Sequence, residues 1–210
     1  GFARGGKYEP RPQDINALVN ESLQMFGRTR KEIEIVADFA AQVHAVEIDK
    51  TQIEQVLLNI FVNAWQAMPQ GGQLRVATDN IALNGRQARS LQLTPGRYVR
   101  IEITDTGCGM DEATRLRVFE PFFSTKGMGH GTGLGLASAY GIVLNHGGSI
   151  TVKSRPMRGS SFAIYLPASD RPAEREIKRT AGIILKGAKV LIVDDEAMIL
   201  EVGAEMLEQL

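Results

Sequence analysis

Cysteine is almost missing from the chain: Cys108 stands alone in 210 residues, so no internal disulfide can close and no cysteine framework can hold a metal. That usage fits a reducing compartment. A cytoplasmic location is expected, with membrane anchoring of a longer parent left open. Charge of one sign is missing as well, because Lys+Arg 24 cancels Asp+Glu 24. Without a net positive field there is little to draw a phosphate backbone, and nucleic acid is not the expected partner. No apolar run approaches the roughly 20 residues of a membrane span, and the N-terminus has no signal-peptide pattern, so no membrane contact is expected of this segment. Two common nucleotide patterns fail too: no G-x-G-x-x-G follows a first strand, and G-K-[ST] does not occur. What remains is ordinary globular composition, 43% hydrophobic and 23% charged, with length for one or two domains and no internal repeat.

Residues 1–12 (GFARGGKYEPRP) lack an apolar period and read as a linker or the end of a preceding element. From there Ile15, Leu18, Val19, Leu23 and Phe26 recur at helical spacing, with Asp14 as cap and Gly27 as stop. Glu32 to Phe39 and His44 to Ile48 alternate as short strands. Asp49 to Met68 carries the strongest helical pattern, with Asp49 and Gln52 placed as a capping box. At about 100° per residue, Ile53, Val56, Leu57, Ile60, Phe61 and Ala64 form one stripe, and Asn59 and Asn63 fall on its edge. Phe61 and Trp65 read as core. Strands are expected at Gln73–Asn80 and Tyr98–Asp105, joined by a polar loop from Ile81 to Gly96. A short helix over Asp111–Phe119, an irregular glycine-rich stretch from Glu120 to Gly133 and a helix over Leu134–Asn145 follow. Ser149–Ser154 and Ser161–Leu166 close the set, turning at Arg155–Gly159. The expected domain spans 13–167, a charged linker 168–187 and a new strand-helix start 188–210.

Two segments carry chemistry. Asp105-Thr-Gly-Cys-Gly109 sets a carboxylate at a strand's carboxyl end and follows it with Gly107 and Gly109, which let backbone approach a flat ligand. An aspartate there can accept from an amino group such as that of adenine. Gly129-His-Gly-Thr-Gly-Leu-Gly135 runs into a helix, and glycine freedom plus unpaired helix-start amides suit phosphate. Each signal alone is weak, since Asp-Gly turns and flexible linkers look alike.

Their order is specific, and it resembles the ATP-binding catalytic domain of two-component histidine kinases, within the superfamily that includes gyrase B, the heat-shock ninety chaperones and the mismatch-repair ATPases. Asn59-Ile-Phe-Val-Asn63 resembles the N box, Asp105 to Gly109 the first glycine box, Phe119-Glu-Pro-Phe-Phe-Ser-Thr-Lys126 the F box, and Gly131-Thr-Gly-Leu-Gly135 the second glycine box. The resemblance implies an α/β two-layer sandwich, a mixed sheet covered by three helices, with ATP and Mg²⁺ under a mobile lid. It implies Asn63 as ligand to Mg²⁺, Asp105 on the adenine amino group, and Ser160 beside adenine. Gly129, Gly131, Thr132, Gly133, Leu134 and Gly135 would meet the phosphates, with Lys126 reaching the γ-phosphoryl group. Asn59 stands where ATP-hydrolysing members carry glutamate, and an amide cannot accept a proton. Hydrolysis should be poor and transfer to a histidine favoured, which needs positioning and charge neutralisation more than a base.

The acceptor histidine of the family sits in a helical His-Glu-x-x-x-Pro setting, which His44, His130 and His146 all lack. The implied partner is therefore a separate helix hairpin bearing it. His44 reads as core or strand, His130 as lid, and His146 as a helix-end cation. Lys189-Val-Leu-Ile-Val-Asp-Asp-Glu196 resembles the first strand and acidic pair of a receiver domain, with Asp194 and Asp195 as an incomplete Mg²⁺ site. That points to a hybrid kinase. An ATP-driven clamp and a nucleotide-sensing module without catalysis are the competing readings.

Overall fold

In a computed structural model of the chain, the described residues are 8–125 and 132–173. The chain divides into two units at Arg175, and the described residues belong to the first. The expected linker beyond 173 and the Lys189–Glu196 segment lie outside them.

The elements are β1 (Arg11–Gln13), α1 (Ile15–Thr29), β2 (Ile33–Phe39), β3 (Val46–Ile48), α2 (Lys50–Ala67) and β4 (Gly72–Leu83), then α3 (Gly85–Ser90), β5 (Gly96–Asp105), α4 (Glu112–Arg117), α5 (Gly135–Asn145), β6 (Ser149–Ser154) and β7 (Ser160–Pro167). Five strands form one sheet in the order β2-β4-β5-β7-β6, and a second sheet pairs β1 with β3. β2 runs parallel to β4 while the other neighbours are antiparallel, so the sheet is mixed. Alternate residues of β7, Phe162, Ile164 and Leu166, are buried with α1, α2 and α5 side chains in one core. Period-2 strands and a helical stripe thus meet as the pattern demands. The predicted α/β sandwich is the observed one.

α2 buries Ile53, Val56, Leu57, Ile60, Phe61 and Ala64. Phe61 is core, packed 5.5 Å from the Phe26 ring. Trp65 packs against the core from its edge: it is half-buried, with the Arg30 guanidinium 3.7 Å over its ring and Nε1 donating to Glu32 at 2.7 Å. Its amphipathic indole covers the edge where α1 turns into β2.

Several local features differ from the sequence expectation. β1 begins at Arg11, two residues before the expected domain start, because Arg11–Gln13 pairs with β3. Gly27 does not end α1; a Cβ there would sit 2.8 Å from the Ile35 side chain, so the glycine marks close packing on β2. The Ile81–Gly96 stretch is not a loop. β4 continues to Leu83, and α3 follows with a complete Asn84–Gln87 capping box over a small core of Leu83, Ala88 and Tyr98. At α2 the Asp49 side chain does accept from the Gln52 N–H at 3.1 Å. The Asp49 N–H, however, donates to His146 Nε2 at 3.0 Å, so a histidine 97 residues away replaces the glutamine half of the box.

Candidate functional site

α2 and α5 pack side by side and β5 ends beside them, so three segments distant in sequence meet at one place. Between them lies a cavity of about 500 Å³. Asn59, Asn63, Asp105, Gly109, Thr132, Gly133, Gly135 and Ser160 all line it. Met110, Val118, Phe123, Leu136 and Phe162 supply apolar walls that sequence reading did not single out, since apolar residues at strand and helix spacing look like any core. A mostly apolar cleft with a few convergent polar groups is what a small-molecule site requires.

Asp105 is 4% exposed at the end of β5. Its Oδ1 accepts from the Gly107 N–H at 2.8 Å and the Ser160 N–H at 3.3 Å. Burial raises the carboxyl above its ordinary range, and the two backbone donors oppose that rise. A carboxylate kept in an apolar wall, with both intrachain bonds on one oxygen, is an acceptor prepared for a donor in the cavity.

The glycines of this loop have separate tasks. Gly109 holds φ +65, and a Cβ there would lie 2.0 Å from the Arg155 carbonyl oxygen; Gly159 holds φ +73 and would strike the Asp105 carbonyl at 1.9 Å. The Asp105–Gly109 loop and the β6–β7 turn therefore interlock backbone to backbone, reinforced by the Met157 N–H donating to the Cys108 carbonyl at 2.7 Å. Gly107 does not line the cavity. Its missing side chain admits the end of α2, since a Cβ would meet the Ala67 carbonyl oxygen at 2.6 Å.

On α2, Asn63 Nδ2 donates to the Asn59 carbonyl at 2.7 Å, and Asn59 Nδ2 donates to the Gly135 carbonyl at 2.9 Å. Asn59 thus ties α2 to the first turn of α5, Asn63 bonds back within α2, and both line the cavity. As a metal-bearing set they offer neutral oxygens, and among the described residues no group of three His, Cys, Asp or Glu side chains could hold a metal. Such a set fits Mg²⁺, a hard cation that keeps several waters and takes its anionic ligands from a bound phosphate.

Gly133, at φ +66, would place a Cβ 2.5 Å from the Phe122 carbonyl carbon. The Phe122 N–H donates to the Gly133 carbonyl at 3.0 Å, which holds these two residues together beside the cavity. Thr132 lines the cavity; Leu134, 42% exposed, precedes α5 without a side-chain cap. Among the described residues no side chain caps the start of α5, the condition for an anion at a helix start. Lys126, Gly129, His130 and Gly131 lie outside the described residues.

His146 corrects an expectation. It is 7% exposed, with Nδ1 2.8 Å from the Ile142 carbonyl and Nε2 accepting from Asp49. An acceptor at Nε2 and a donor at Nδ1 define a neutral imidazole joining α5 to α2, not a helix-end cation. His44 lies before β3, where its N–H donates to Asn80 at 2.8 Å.

This architecture is matched over residues 48–170 by the family described as histidine kinase-, DNA gyrase B-, and HSP90-like ATPase. The chain belongs to that family. Within it the chain falls in the histidine-kinase branch as a catalytic ATP-binding domain: it is 30% identical to the mycobacterial sensor histidine kinase MprB, covering 99% of that structure and 79% of this chain at a TM-score of 0.60. The sensor kinase CckA of Brucella abortus is 36% identical over 218 residues, 99% of this chain and 23% of the relative. Sensor histidine kinase ZraS of Escherichia coli is 35% identical over 158 residues, 74% of this chain and 30% of the relative. The chain thus spans about a quarter of the length of these relatives.

Proposed function

We propose that this chain is the catalytic part of a hybrid sensor histidine kinase, binding Mg²⁺-ATP and passing the γ-phosphoryl group to a histidine on a separate helix hairpin. The observation that carries the reading is the single cavity in which the N-box amides, Asp105, Ser160 and the start of α5 converge. Asp105 takes the adenine amino group. Gly109 shapes the wall behind it. Thr132 and the backbone from Gly131 to Gly135, Leu134 included, with Gly129 just before it, meet the phosphates, and Lys126 neutralises charge on the γ-phosphoryl group. Asn63, with Asn59 beside it, holds Mg²⁺, which supplies charge neutralisation on the phosphates. A catalytic domain that starts with β1 at Arg11 and runs to 167, a linker 168–187 and a receiver start at 188–210 with Asp194 and Asp195 as part of its metal site complete the proposal.

Asn59 separates kinase from hydrolase. Its carboxamide cannot take a proton, and its nitrogen is engaged by Gly135, so Asn59 supplies no base for water. In the transfer the bond from the γ-phosphorus to the bridging oxygen breaks as a bond to imidazole nitrogen forms, and ADP leaves. No histidine of the described residues faces this cavity, which is consistent with an acceptor on another domain. The hybrid reading rests on the likeness of Lys189–Glu196 to a receiver's first strand and acidic pair; the alignment with the sensor kinase CckA covers 99% of this chain and so takes in that segment.

The test mixes the chain with Mg²⁺-ATP labelled on the γ-phosphate and the helix-hairpin domain of its own kinase. Acid-labile label on the hairpin is expected. An unlabelled hairpin with ATP bound normally refutes the kinase reading, and rapid ATP hydrolysis without any acceptor favours the clamp instead.

A further inference from the structure

One hydroxyl beside the cavity is saturated in a way that dictates the polarity of its neighbour. Ser154 Oγ, at the end of β6, accepts from the Met110 N–H at 2.8 Å, donates to the Gly159 carbonyl at 2.9 Å and lies 3.0 Å from Ser160 Oγ. A hydroxyl has one hydrogen and two lone pairs. A carbonyl only accepts, so the Ser154 hydrogen is committed to Gly159; Met110 occupies one lone pair. The third contact must then run from the Ser160 O–H to Ser154. Ser160 lines the cavity while its hydrogen is spent behind the wall, so its oxygen offers lone pairs to a ligand. Its own N–H goes to Asp105 Oδ1 at 3.3 Å, which sets the residue beside the carboxylate. Both residues are buried, Ser160 7% and Asp105 4% exposed. This end of the cavity presents two side-chain acceptors.

We infer that Ser154 is a positioning residue that sets base selectivity: by holding the Ser160 O–H it makes an all-acceptor wall that receives the 6-amino group of adenine and repels a 6-oxo group. The inference rests on the nucleotide reading above and deepens it. An amino group brings two hydrogens to two acceptors. An oxo group brings lone pairs against lone pairs in a site with little water, where an unmatched polar contact is most costly. Without the Ser154 oxygen, the Ser160 O–H is released to rotate and donate to an oxo group.

The experiment measures dissociation constants of ATP and inosine triphosphate, whose base carries a 6-oxo group and a proton on N1 and lacks the extra amino group of guanine, by calorimetry on the full 210-residue chain with Mg²⁺. The unmodified chain should favour ATP by about a hundredfold, and Ser154→Ala should narrow the ratio to about tenfold or less. Loss of the Met110 and Gly159 bonds weakens both nucleotides alike, so a merely structural role leaves the ratio unchanged. Ser154→Thr, which keeps the hydroxyl, should restore it, and Ser154→Ala combined with Ser160→Ala should abolish the gain for inosine triphosphate. An unaltered ratio in Ser154→Ala overturns the inference. Should that variant not fold, the unmodified chain decides: purine riboside triphosphate, bare at position 6, should bind between ATP and inosine triphosphate. Binding equal to that of inosine triphosphate shows no repulsion and overturns it. If the unmodified chain binds neither ATP nor its analogues, the nucleotide reading itself fails.

Discussion

Asp105 is held in conflict with its own stability. Burial raises its carboxyl above the ordinary range, so the folded state binds this proton more tightly than the unfolded chain, whose aspartates titrate near pH ~4. The sign follows: the stability linked to this group is fully present below the unfolded pKa and is lost as pH rises through the folded one. Asp105→Asn keeps the acceptor for Gly107 and Ser160 but removes the charge. It should therefore melt at the same temperature as the unmodified chain or higher at pH ~7, with the difference shrinking in acid, as thermal melts across pH will show. The same change should weaken ATP by about 1.5–3 kcal/mol, roughly tenfold to a hundredfold, in a direct titration. A variant that gains stability and loses ligand marks a functional residue. Its identity was legible because a carboxylate followed by two glycines at a strand end is a local pattern. Ser154 and His146 were not legible, since their partners lie in other segments and only the fold reveals which hydrogens are already used.

At the scale of elements, the Phe122–Gly133 contact and the helix pair carry separate predictions. Gly133→Val places a β-branched residue at φ +66 against Phe122, so that contact must open. Triphosphate affinity should fall at least tenfold while adenosine affinity holds, a comparison that calorimetry makes directly. Equal losses for both would show that the change damages the whole cavity. His146→Ala removes a buried bond between α5 and the Asp49 cap and should destabilise by about 1–3 kcal/mol in urea unfolding, yet it should leave phosphoryl transfer to the hairpin intact. Most elements were readable from periodicity, α2 above all, where the apolar stripe and Asp49 cap agree with the structure. β1 and α3 were not. β1 has three residues and exists through its pairing with β3, and α3 depends on the Asn84–Gln87 box within an otherwise polar stretch.

For the molecule as a whole, the sandwich is an ordered frame whose purpose is to bring one helix, one strand end and one glycine-rich loop to a common cleft. Four short motifs in sequence announce that frame, because each is local and their order is rarely met by chance. The cleft itself is a three-dimensional fact, made by the β2-β4-β5-β7-β6 order and the contact of α2 with α5. The central claim is that these groups bind one purine triphosphate together. A crystal structure of the chain with Mg²⁺ and a non-hydrolysable ATP analogue tests it most directly. The purine amino group should lie against Asp105 and Ser160, with the phosphates between the Asn59–Asn63 face and the start of α5. A nucleotide bound elsewhere, or with its base turned away from Asp105, contradicts the account.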